Sequence, residues 1–94
     1  MGDDMRFTPD PAIAAVGDTV IWVNAGTLPH TSTNQPERSA DRAHSTLSAG
    51  AEPWDSGLLG EGETFRMVVT IRGEYAYVCT IHEAMGMTGR LTVR

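Results

Sequence analysis

Cys79, His82 and Met87 fall within the run Cys79-Thr80-Ile81-His82-Glu83-Ala84-Met85-Gly86-Met87. A thiol, an imidazole and a thioether so spaced make a set of soft and borderline donors. Thiolate and thioether sulfur favour copper(I), and imidazole accepts both copper oxidation states. Cys79 is also the only cysteine of the chain, so no internal disulfide forms, and burial, catalysis or a metal must account for it. The run supplies one histidine only, and a second imidazole has to come from elsewhere. His30 ends Asn24-Ala25-Gly26-Thr27-Leu28-Pro29-His30, directly after an apolar strand, whereas His44 lies in a polar stretch between Arg42 and Ser45. His30 is the better placed of the two.

The elements that must position these residues are strands. Period-two alternation runs through Thr19-Val20-Ile21-Trp22-Val23 and through Phe65, Met67, Val69 and Ile71, with Arg66, Val68 and Thr70 between them. Gly17-Asp18 and Gly60-Glu61-Gly62 punctuate the chain before these runs. Arg72-Gly73-Glu74 is expected to turn the second into a third strand, Tyr75 to Cys79. The second and third strands are expected to make a hairpin, and a final strand, about Thr88 to Arg94, follows the donor-bearing hairpin loop and closes the chain. Short opening strands are expected at Met5 to Thr8 and Ala12 to Val16, separated by Pro9 and Pro11. From Thr31 to Ser56 the alternation fails; a short strand continuing from His30 and a helical turn near Ser39 to Ser45 are the expectations there. Trp22, Trp54, Tyr75 and Tyr77 are expected to pack inward.

Two imidazoles and a thiolate in a trigonal set, with a weak axial thioether, are the donors of blue-copper electron-transfer sites. The run Gly-Glu-Tyr-Ala-Tyr-Val-Cys-Thr-Ile-His-Glu-Ala-Met-Gly-Met-Thr-Gly-Arg-Leu-Thr-Val, residues 73 to 93, resembles the copper-binding hairpin of the cupredoxin family (plastocyanins, pseudoazurins and halocyanins). Gly17 to Asn24 and Pro29-His30 match the same family's pattern upstream. The resemblance implies an all-β fold, a two-sheet antiparallel Greek-key β-sandwich with one type 1 copper ion at its end. Carried across residue by residue, it implies that His30 and His82 donate ring nitrogens, Cys79 a short thiolate bond and Met87 a long axial sulfur contact. Met85 is displaced from the axial position and falls to surface or packing. Ile81 replaces a proline common in the family, and Val78 replaces the tyrosine that plastocyanins use as a second electron exit. Thr31 stands where plastocyanins carry asparagine, which leaves open a backbone hydrogen bond to the cysteine sulfur.

The function implied is one-electron shuttling between redox proteins, a cytochrome or a membrane redox complex, docking near His82, Pro29 and Met85. The family usually works outside the cytoplasm, so a periplasmic or otherwise extracytoplasmic monomer is expected, with room for a membrane tether beyond this stretch. The opening Met1-Gly2-Asp3-Asp4 has no signal-peptide character. With 94 residues and 40% hydrophobic composition, residues 1–94 fit one domain with a modest core. Twelve acidic residues against seven arginines give a net charge of -5, with no positive stripe for phosphate, so no nucleic-acid partner is expected. A Cys79 nucleophile with a histidine base would need an orienting group and an oxyanion hole, of which the sequence bears no recognisable trace; no enzyme is expected. A copper-handling module using the same donors without carrying electrons stays open as the alternative.

Overall fold

The computed structural model describes residues 1–94, and its seven strands lie in two layers. One sheet holds β1 (Ala12–Ala14), β3 (Thr33–Asn34), β4 (Trp54–Asp55), β6 (Gly73–Val78) and β7 (Thr88–Val93) in the order β1-β7-β6-β3-β4. The other pairs β2 (Thr19–Val23) with β5 (Thr64–Val68). Alternation decides which side chains meet between the layers. In β2 and β5, Val20 faces Met67 and Trp22 faces Phe65 across the ladder, and these four point inward. In β6 and β7 the inward set is Tyr75, Tyr77, Leu91 and Val93.

Aromatic rings fill the space between the layers. Trp22 stands perpendicular to Tyr77 at 5.6 Å between ring centres and lies 5.7 Å from Trp54, while Phe7 meets the Tyr77 ring edge-on at 4.8 Å. Rings at these separations gain beyond their area burial. Cys79 and Met87 belong to the same buried cluster, both with no exposed surface. The metal centre therefore grows out of one end of the core.

The fold is the expected two-sheet Greek-key sandwich, with four differences of detail. β1 runs parallel to β7, so the sheet is not antiparallel throughout. Arg72-Gly73-Glu74 does not close a hairpin, because β5 and β6 belong to different sheets and the chain crosses between layers there. Met5 to Thr8 forms no strand; it contributes the single buried ring of Phe7. The strand after His30 begins three residues on, as β3, and the helical turn falls at Arg42–His44, preceded by another at Pro36–Arg38. The hairpin of β6 and β7, with the donor-bearing run as its loop, is as expected.

Candidate metal centre

His30 is held by backbone on both sides. It exchanges hydrogen bonds with Leu59, His30 N donating to Leu59 O at 3.1 Å and Leu59 N to His30 O at 2.8 Å. The loop before it is pinned by Asn24, whose Nδ2 donates to Leu28 O and Leu59 O while its Oδ1 accepts the Gly26 amide. Asp3 reaches the same loop from the N-terminal segment, accepting the Thr27 and Leu28 amides and the Thr27 hydroxyl. These bonds hold the Asp3 carboxyl below the usual carboxylate range. Residue 26 must be glycine for this approach, since a Cβ there would collide with the Asp3 carboxylate and backbone nitrogen.

Cys79 follows directly on β6 and His82 comes after a tight turn, its amide donating to Cys79 O. A 3₁₀ turn, Glu83–Met85, comes next and stops at Gly86, whose φ of 84° suits glycine. That reversal brings Met87 back beside the strand end: Cys79 N donates to Met87 O at 3.1 Å and Met87 N to His82 O at 3.2 Å. Met87 is consequently fully buried, whereas Met85 is 67% exposed, as expected for a residue displaced from the site.

The result is a convergence of donors. The Nδ1 atoms of His30 and His82 lie 3.9 Å and 3.5 Å from Cys79 Sγ, and one donor atom from each of the three residues falls within 4.8 Å of the others. Metal bonds of about 2.0 Å to nitrogen and about 2.3 Å to sulfur, the lengths in zinc sites, place the two donors about 3.7 Å apart at a trigonal angle. The observed spacings bracket that value. His30 supplies a second test of fit. Its ring is fully buried, and the Nδ1 that faces the sulfur has only that long contact. Such a ring is costly unless a cation lies between the donors. Burial first, then the neighbouring His82, pushes the His30 imidazole below its ordinary pKa; the nearby Gly2 backbone opposes this without offering Nε2 a hydrogen bond of proper geometry. A neutral ring is the form that ligates a metal.

Around the thiol lies a chain of hydroxyls. Thr31 N points at Cys79 Sγ at 3.4 Å, and Thr31 Oγ1 accepts the amide of Thr80 at 3.0 Å. Thr33 Oγ1 lies 3.0 Å from both Thr31 Oγ1 and Asp55 Oδ1. A hydroxyl has one hydrogen, and a carboxylate can only accept. Thr33 therefore donates, its one hydrogen lying between Asp55 Oδ1 and Thr31 Oγ1, and Thr31 Oγ1 also accepts the Thr80 amide. Burial pushes the Asp55 carboxyl up, but the Gly57 amide, the Arg38 guanidinium at 2.6 Å and the Thr33 hydroxyl outweigh it and hold Asp55 below the usual carboxylate range.

His44 takes no part in this cluster. Its Nδ1 donates to Glu83 Oε2 at 2.9 Å, on the outer side of the donor-bearing loop. The sequence reading had no place for Glu83, Asp55 or Asp3 in the site. Asn24, two residues before a glycine, carried the signature of a side chain that bonds its own backbone two residues on.

Comparison with known proteins decides the family. The model described as copper binding proteins, plastocyanin/azurin family, matches residues 1–94. The chain belongs to that family. It is 32% identical to the chloroplastic plastocyanin of Chlamydomonas reinhardtii over 90 residues, 96% of this chain and 59% of the plastocyanin, so it spans about three fifths of that relative's length. Among solved structures it superposes on a purple cupredoxin from Nitrosopumilus maritimus with TM-score 0.71 and 28% identity, covering 93% of this chain and 80% of that one. It matches a Cu(I) form of the amicyanin M98Q mutant with TM-score 0.75 over 98% of this chain and 76% of that one; at 22% identity the likeness is one of fold. Copper is accordingly the metal of this family member, and the trio His30, Cys79 and His82 is placed to bind it.

Proposed function

We propose that residues 1–94 form a single-domain one-electron carrier whose type 1 copper ion is held by His30, Cys79, His82 and Met87. The observation that carries the proposal is the meeting of two imidazole Nδ1 atoms on one fully buried thiol. The role of Met87 rests on its burial beside Cys79 and on the family resemblance. Bound copper supplies the Cu(I)/Cu(II) couple; the residues supply the geometry, a neutral His30, a thiolate oriented by the Thr31 amide, and exclusion of water.

Three of the four ligands have no exposed surface, and only His82 is partly open to solvent. A catalytic metal keeps an open position for substrate, whereas an electron needs only a conducting edge, and His82 provides it. Leu28, Pro29, Leu58, Ile81, Ala84 and Met85, which flank the ligands and their strand partners in the chain, are exposed. They are the proposed apolar docking collar for a cytochrome or a membrane redox complex, a surface of the small class used in brief redox encounters. A monomer working in the periplasm, or otherwise outside the cytoplasm, is the setting proposed from the family resemblance.

One equivalent of Cu(II) added to the purified protein is expected to give an intense visible band and a reversible voltammetric couple, both absent from Cys79→Ser. Reversible reduction by a cytochrome separates a carrier from a copper store. A colourless protein that binds copper weakly overturns the proposal.

A further inference from the structure

Glu83 is a charged side chain in a place where charge is costly. It follows His82 directly, is 7% exposed, and projects away from the copper ligands into the segment 40–44. There it accepts three hydrogen bonds: the Ala40 amide on Oε1 at 2.9 Å, and on Oε2 the Asp41 amide at 3.2 Å and His44 Nδ1 at 2.9 Å. The receiving segment is itself built to stay in place. The Asp41 side chain caps the Arg42–His44 turn by accepting the Ala43 amide, the hydroxyls of Ser39 and Ser45 meet across it, and Thr46 pairs with Ala76 of β6. Asn34 of β3 ties both ends of that pairing, its Nδ2 donating to Thr46 O and Ala76 O.

From these contacts we propose that Glu83 is the positioning residue of the His82–Met87 loop, clamping it to β6 and β3 through segment 40–46. The inference rests on the reading of His82 and Met87 as ligands. The loop's own bonds are short-range: Met85 N to His82 O, Gly86 N to Glu83 O and Met87 N to His82 O. They define its shape and do not fix it to the rest of the molecule. Its ends are anchored at Cys79 and Thr88, and the Glu83 carboxylate anchors its middle. A carboxylate bonded by two backbone amides and an imidazole is directional on both oxygens, so the Cα of Glu83, and with it the adjoining ring of His82, is held from outside the metal site.

Glu83→Gln tests this with little change of shape, since an amide cannot accept on both of its polar atoms. In the metal-free protein, amide hydrogen exchange at Met85, Gly86 and Met87 is expected to speed up about tenfold, with Ala76 and Leu91 unchanged. His44→Ala, which leaves both amide bonds to Glu83, is expected to give a smaller acceleration at the same three amides. With copper bound, Glu83→Gln is expected to shift the reduction potential and the visible band while keeping both. Unchanged exchange at residues 85–87, or acceleration spread equally over the strands, overturns the clamp. Because the exchange measurement uses no copper, failure of the clamp is told apart from failure of the carrier assignment, which a missing blue band would show in the unsubstituted protein.

Discussion

His30 and Cys79 stand where paired backbone reaches the candidate metal centre, whereas His82 stands in the loop between β6 and β7, whose far end is tied back by Cys79 N donating to Met87 O. On the first side the supports are continuous with the core. Trp54 packs against Trp22 and Tyr77, its Nε1 donates to Ser32 Oγ, and Ser32 adjoins the Thr31 whose amide faces the sulfur. On the second side the supports are the short bonds of one 3₁₀ turn, the backbone bond from Cys79 N to Met87 O and one outward carboxylate. The difference teaches that the two halves answer to different kinds of perturbation. Damage to the strand side is expected to register in global stability. Damage to the loop side is expected to register in local opening and in the properties of the metal.

Trp54→Ala is the hardest blow to the strand side. Removing a buried ring from the aromatic cluster is expected to cost about 3 to 5 kcal/mol of unfolding free energy in denaturant titrations. A loss as small as that of a surface substitution would mean that the core does not reach the site as described. Thr31→Val comes next. It leaves the amide on the sulfur but removes the oxygen that accepts from Thr80 N, and a half-buried amide left without its acceptor costs roughly 1 to 2 kcal/mol. The band from sulfur to copper should shift as well, because Thr80 adjoins Cys79.

Asp55→Asn is milder, on the order of 1.5 kcal/mol at neutral pH, since the amide keeps one accepting oxygen but loses the charge facing Arg38. The sign of its pH dependence follows from the direction of the shift. A carboxyl held lower in the folded than in the unfolded protein stabilises above the unfolded value of about 3.9, and that stabilisation is lost as pH falls through the folded value. The deficit of Asp55→Asn relative to the unsubstituted protein should therefore be full near pH 7 and shrink below about pH 4. A deficit that persists at low pH would remove charge from the account of this site. Gly86→Ala is the smallest change and belongs to the loop side. A φ of 84° costs a non-glycine residue about 1 kcal/mol, to be read as faster exchange at Met87 with the strands unaffected. Equal loosening of β6 and β7 would erase the distinction between the halves.

The same division explains what was legible in the sequence. Cys79, His82 and Met87 stand close together in one run, and β2, β5, β6 and β7 announce themselves by alternation, so the candidate donors of the loop and most of the sandwich could be read directly. His30 could be preferred over His44 because it follows a strand. Hidden were the supports whose partners lie far off in the chain. Glu83 meets Ala40 across 43 residues and Thr33 meets Asp55 across 22, and both involve the polar segment 31–56, where no periodicity tells which side chain faces inward. The parallel pairing of β1 with β7 was hidden for a similar reason, since alternation marks a strand without saying which way its neighbour runs. The crossover at Arg72–Glu74 was misread as a hairpin because turn residues between two strands are the same whether the chain returns to its own sheet or passes to the facing one.

A centre held from both sides should change little when an electron arrives, and X-ray absorption at the copper edge in the oxidised and reduced protein measures that directly. Two nitrogen donors and one short sulfur donor at nearly constant distances in both states are expected, with the Met87 sulfur as a longer fourth contact. A change in the number of donors between the states, or the absence of the sulfur in either, would contradict the account.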